Sequence, residues 1–107
     1  MIDKTRLLTN AHCVLDGKGR PVANAAVLTM GYLAAGDSDG SQQYIVDIAN
    51  PVEIGFPGTE GAPDYAILKV SSGEPGRDWG AVKLALTGPP DRSSLIVIHH
   101  PLGFPKV

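Results

Sequence analysis

The sequence predicts an all-β domain of short antiparallel strands, a barrel or a sandwich. Three observations predict it. Thirteen glycines and nine prolines make up about a fifth of the 107 residues, a density of punctuation that suits short strands and many turns. Runs rich in β-branched and aromatic residues recur at intervals of roughly 10–15 residues. No segment carries the apolar periodicity of an amphipathic helix. The length fits one small domain or part of a larger one, and a hydrophobic content of 43% is ordinary for a globular chain.

Taken in order, Arg6-Leu7-Leu8-Thr9 reads as a short strand that runs into Asn10-Ala11-His12-Cys13-Val14. Asp16-Gly17-Lys18-Gly19 is a turn. Ala25 to Leu33 is the second strand, and Gly36 to Ser41 is a loop by composition. Tyr44 to Ile48 is the third strand, and Val52-Glu53-Ile54 a brief one inside an irregular Pro51–Pro63 stretch. Tyr65 to Val70 is nearly continuously apolar, as expected of a strand buried on both faces. Ser71 to Gly80 is a polar connection, Val82 to Leu86 alternates weakly, Gly88 to Asp91 turns, and Leu95 to Ile98 is the last strand.

Charge and cysteine content exclude several classes. Nine basic against eleven acidic residues give a net charge of −2, which argues against a nucleic-acid-binding module with its basic face. No apolar run reaches the roughly 18–20 residues that cross a bilayer, so no membrane partner is implied. No apolar segment of the signal-peptide kind follows Met1–Arg6. The single cysteine, Cys13, excludes an internal disulfide and a four-cysteine metal site, and is compatible with a cytoplasmic location. His99-His100 has no third ligand at a suitable spacing, so no metal and no other cofactor is implied. Lys18, Arg20, Lys83 and Arg92 are scattered as on a solvated surface, and Tyr32 and Trp79 read as packing residues.

Two segments carry chemistry. In Leu7-Leu8-Thr9-Asn10-Ala11-His12-Cys13-Val14 a strand runs out into a small turn that presents an imidazole at a sheet edge. In Pro63-Asp64-Tyr65-Ala66-Ile67-Leu68-Lys69-Val70 a carboxylate stands just before a strand, where it is shielded from water yet able to reach an imidazole. Together they resemble the His and Asp segments of trypsin-like serine proteases of the chymotrypsin fold, in that family's order. Leu95 to Lys106, with its His-Pro-Leu-Gly-Phe-Pro-Lys turn, is similar to the strand and turn that open the family's second barrel. Ala26 to Tyr32 and Asp78-Trp79-Gly80 look like the bacterial, glutamyl-endopeptidase-like branch.

The resemblance implies a chymotrypsin-like antiparallel β-barrel, with residues 1–90 forming an incomplete first barrel and residues 91–107 the start of the second. It implies a polypeptide substrate and peptide-bond hydrolysis through an acyl-enzyme. It makes His12 the general base and acid, and Asp64 the group that orients it. The chemistry needs these types. A serine hydroxyl is a weak nucleophile until an imidazole takes its proton. A carboxylate on the other ring nitrogen fixes the tautomer and stabilises the imidazolium.

The nucleophile has no candidate here. Ser38, Ser41, Ser71, Ser72, Ser93 and Ser94 all lie outside a Gly-x-Ser-Gly context, and Asp64 is followed by only 43 residues. The expectation is therefore an N-terminal-half fragment, inactive by itself, of a serine endopeptidase. The alternative is a protease-like domain without activity that serves as a binding or regulatory module. Cys13, beside His12, is expected to be a small buried hydrophobe, because neighbouring strand residues point to opposite faces.

Overall fold

The computed structural model describes residues 1–32, 40–55 and 60–98. It is mostly strand: β1 (Arg6–Thr9), β2 (Ala25–Met30), β3 (Gln42–Asp47), β4 (Glu53–Gly55) and β5 (Tyr65–Val70) form one curled antiparallel sheet, a half-barrel. The order along the sheet is β1-β5-β3-β2, with β4 also paired to β5. This agrees with the all-β expectation.

β5 is the hub. Its one side takes β1, with Arg6 opposite Lys69 and Thr9 opposite Ala66. Its other side takes β4, with Glu53 opposite Ile67, and then the end of β3, with Val46 opposite Val70. β2 and β3 pair from Ala25↔Asp47 to Met30↔Gln42.

The inner face holds the core. Ala66, Leu68 and Val70 of β5 are buried with Tyr44 and Val46 of β3, Ile48, and Ala11, Val14 and Leu15. Leu7, Ala26, Leu28 and Met30 pack against them from β1 and β2. Between β1 and β2 this face opens into an apolar cleft of about 150 Å³ bounded by Leu7, Thr9, Ala26, Leu28, Val46 and Leu68.

β5 departs from the expected burial on both faces. Its burial alternates: Ala66, Leu68 and Val70 point inward, while Tyr65 and Ile67 are half-buried and Lys69 is exposed. Apolar residues at Tyr65 and Ile67 fill the pattern without being sealed, as in an antiparallel sheet with one covered face.

Two expected strands do not form. Residues 82–86 and 95–98 form no strand and pair with nothing in the sheet, and Leu86, Ile96 and Leu95 are 102%, 91% and 73% exposed. Strand propensity alone does not make a strand. A ladder partner is needed to satisfy its backbone, and the sheet supplies none: Val82 N–H donates to the Met1 carbonyl at 2.9 Å, outside any strand.

The polar connection after β5 contains a short helix, α1 (Pro75–Trp79). Proline at its first position is preset for a helix start. α1 lies against the N-terminal segment, where the Gly76 N–H donates to the Lys4 carbonyl at 2.9 Å. A Cβ at Gly76 would collide with the Asp3 carbonyl, so only glycine permits this approach. Tyr44 and Trp79 share the Gln42 side-chain oxygen at 2.8 and 3.0 Å, which ties α1 back to β3. The turn at Asp16 forms as expected, with the carboxylate accepting from the Lys18 and Arg20 N–H groups at 2.9 Å. Lys18, Arg20, Lys83 and Arg92 are all exposed.

Candidate active site

The register of β1 on β5 builds the site. The strands are antiparallel, and Thr9, the last residue of β1, lies opposite Ala66, the second of β5. Residues just after Thr9 therefore stand beside residues just before Tyr65. That geometry brings His12 and Asp64 together across 52 positions of sequence.

After Thr9 the chain stops extending and makes one 3-10 turn, Ala11–Cys13. The Val14 and Leu15 N–H groups both donate to the Ala11 carbonyl, at 3.0 and 2.8 Å. Ala11 is fully buried and Val14 and Leu15 are buried, so the turn is pinned by its ends in the core. His12 and Cys13, between them, are thrown outward and exposed.

Asp64 grips His12 twice. The His12 main-chain N–H donates to Asp64 Oδ1 at 3.1 Å, and the imidazole Nδ1 bonds to Asp64 Oδ2. An ionised carboxylate only accepts, so the proton of this bond comes from Nδ1. The imidazole is 66% exposed and Asp64 27% exposed. The carboxylate is thus partly shielded, less than the sequence suggests. The bond from the His12 side chain, helped by the N–H bonds of His12 and Ala11, outweighs that partial burial and holds Asp64 below the ordinary carboxylate range. Asn10 adds a third tie, its Nδ2 donating to the Asp64 carbonyl at 3.1 Å.

A family model for the trypsin-like peptidase domain matches residues 1–107. The chain belongs to the trypsin-like peptidase domain family. Its family is one of proteases, whose substrates are polypeptides. Comparison with curated proteins and with solved structures gave no match.

Within this peptidase domain, the side chains of Ser71, Ser72 and Ser93 are tied to main chain. Ser71 Oγ donates to the Ile45 carbonyl at 3.2 Å, Ser72 Oγ accepts from the Ile45 N–H at 2.7 Å, and Ser93 Oγ donates to the Pro90 carbonyl at 2.6 Å. The expectation for Cys13 is overturned: the thiol is free and exposed. Strand alternation does not apply, because residues 11–13 form a 3-10 turn in which two adjacent side chains face water together. Trp79 is 41% exposed, with its indole N–H bonded to Gln42, as befits a packing residue at an edge. His99-His100 and the Pro101–Lys106 turn lie outside the described residues. Among the described residues, no group of three or more His, Cys, Asp or Glu could hold a metal.

Sequence reading missed Asn10. An Asn just before a turn suggests only a cap for that turn, and here the side chain does not cap it. What the sequence does not reveal is that its amide reaches across to Asp64.

Proposed function

We propose that this chain supplies the acid–base half of a serine-type endopeptidase, of the bacterial glutamyl-endopeptidase-like branch. His12 is the general base and acid, and Asp64 orients it. The observation that carries this reading is the double grip of one carboxylate on His12, at Nδ1 and at the main-chain N–H, with an exposed imidazole.

The chemistry follows from that arrangement. Neutral His12 takes the proton of a serine hydroxyl at Nε2 while the oxygen attacks the scissile carbonyl. Asp64, held ionised, stabilises the imidazolium that results. His12 then returns the proton to the leaving amine, the peptide bond breaks, and an acyl-enzyme is left. Water, deprotonated by His12 in turn, attacks the ester carbonyl; the ester C–O bond breaks, His12 returns the proton to the serine oxygen, and the acid leaves. The serine and the groups that stabilise the oxyanion belong to a Gly-x-Ser-Gly segment that these 107 residues do not contain. On this reading residues 1–90 are the first barrel and residues 91–107 begin the second, and the 107 residues alone are inactive.

The alternative is a protease-like binding or regulatory module without activity, and what separates the two is whether an intact Gly-x-Ser-Gly accompanies the His12–Asp64 pair. The test is to extend the reading frame past Val107 and assay the product on casein or a peptide library. Peptide cleavage that disappears in His12→Ala is expected. A continuation without Gly-x-Ser-Gly over roughly a hundred residues, or no cleavage by the extended chain, leaves the binding module standing instead, and cleavage that survives His12→Ala removes His12 from the mechanism.

A further inference from the structure

Asn10 occupies the N-cap position of the 3-10 turn, with extended backbone angles of φ −80° and ψ 141°. An Asn there ordinarily turns its side-chain oxygen onto its own turn's N–H groups. Here its side chain makes no such bond. The bond that would cap the turn comes instead from Asp64, whose Oδ1 accepts the His12 N–H. Asn10 Nδ2, released from capping, donates to the Asp64 carbonyl. The two residues have exchanged roles. Asp64 caps the turn that carries His12, and Asn10 fastens the main chain that carries Asp64.

A second restraint presses on the same residue from the other edge of β5. Gly55, the last residue of β4, pairs with Tyr65. A Cβ at Gly55 would collide with the Pro63 carbonyl and the Tyr65 ring, the two neighbours of Asp64. The β4 backbone therefore lies directly against the residues on either side of Asp64. Asp64 is held between β4 and Asn10 before its carboxylate makes any bond at all.

We propose that Asn10 is a positioning residue for the His12–Asp64 pair, acting through its bond to the Asp64 main chain. This rests on the reading of that pair as the acid–base machinery. Displacement of a carboxylate by about 1 Å is enough to spoil its alignment with an imidazole. Asn10 is exposed and outside the core, so its removal deletes the tie without opening a cavity. Asn50 offers a matched control: it too bonds a nearby aspartate from an exposed position, but to Asp47, away from the site.

The experiment compares Asn10→Ala, the near-isosteric Asn10→Asp, Asp64→Asn and Asn50→Ala by NMR hydrogen exchange in isotope-labelled protein. In Asn10→Ala the His12 main-chain N–H exchanges about fivefold faster and the His12 Nδ1 proton signal weakens, the size expected for one ordinary hydrogen bond. Asn10→Asp, which puts an acceptor against a carbonyl, does the same. Asn50→Ala leaves both signals unmoved, and the β5 amides keep their protection throughout. In the extended, active enzyme, Asn10→Ala lowers kcat about fivefold at unchanged KM. If Asp64→Asn moves the His12 signals and neither Asn10 variant does, Asn10 does not position the pair, and the pair itself stands. If Asp64→Asn moves nothing, the pair is not formed and the reading beneath this one falls. Failure of both Asn10 variants to fold, or exchange speeded equally along β1 and β5, makes Asn10 a general structural residue and overturns the proposal.

Discussion

The carboxylate of Asp64 bonds His12 at two atoms of different kinds, the ring Nδ1 and the main-chain N–H. A single bond to Nδ1 would leave the imidazole free to swing with its turn. The bond to the N–H locks the turn to the carboxylate, so ring and backbone move with Asp64 as one body. The arrangement is built from only three features: an antiparallel register, a 3-10 turn anchored by buried Ala11, and an aspartate one residue before β5.

His12 and Asp64 should therefore behave as one unit in the extended enzyme. His12→Ala is expected to remove nearly all turnover. Asp64→Asn, by analogy with the trypsin-like triad, costs about 10⁴-fold in kcat. The double variant is expected to cost little more than His12→Ala alone, since an orienting carboxylate has nothing to orient once the imidazole is gone. Steady-state kinetics of the three variants checks this. Losses that multiply in full would mean that the two side chains act independently.

The lowered pKa of Asp64 gives a pH prediction whose sign is fixed. A carboxylate bound more tightly when ionised stabilises the fold above its ordinary titration range, and that contribution disappears as pH falls through its folded value. The stability difference between wild type and Asp64→Asn is expected to be fully present above the ordinary carboxylate range and to shrink as pH falls through that range and below it. Asp3, held chiefly by the Thr5 N–H, and Asp16, held chiefly by the Arg20 N–H, are lowered in the same direction and leave acid sensitivity behind in the variant. Urea unfolding at a series of pH values measures the difference. A gap that stays constant until the carboxylates are fully protonated would show that ionisation of Asp64 has no part in it.

The strands legible in the sequence were those that find a ladder partner among the described residues. Arg6–Thr9 and Tyr65–Val70 are found at their expected bounds, and each pairs with the other. Leu95 to Ile98 has as strong a β composition but meets no partner among the described residues, so composition misleads there. Within the site, His12 and Asp64 were legible because each stands beside a strand whose pattern can be read. Asn10 and the exposure of Cys13 were not, because both depend on a 3-10 turn of three residues, too short to leave a periodic trace. α1 was hidden for the same reason: five residues opening on Pro-Gly look like a loop.

Leu68 tests the core. It is 2% exposed, at the centre of β5, and borders the cleft between β1 and β2. Leu68→Ala is expected to cost about 2–5 kcal/mol, the lost transfer energy plus that of the void. The cleft beside it is already open, so the surroundings have less reason to collapse onto the missing atoms. Lys69→Ala, one residue on and exposed, is expected to change stability by less than about 0.5 kcal/mol. Chemical denaturation of both variants decides it. Equal effects would mean that the burial alternation along β5 is wrong.

The 107 residues by themselves are expected to leave peptides uncut and to resist a fluorophosphonate probe for active serines. Such a probe labels a serine only where an imidazole can take the hydroxyl proton and donors receive the developing oxyanion. Ser71 and Ser72 are engaged with the main chain of Ile45, and Ser93 with its own turn. None of these bonds involves His12. Mass spectrometry of the intact chain after treatment with the probe reads the result directly. One adduct that disappears in His12→Ala would show that a serine of this chain is activated by His12, and the nucleophile would then have to be sought inside these 107 residues. An adduct that persists in His12→Ala would instead mark ordinary surface reactivity, for which the His12–Asp64 pair is not needed.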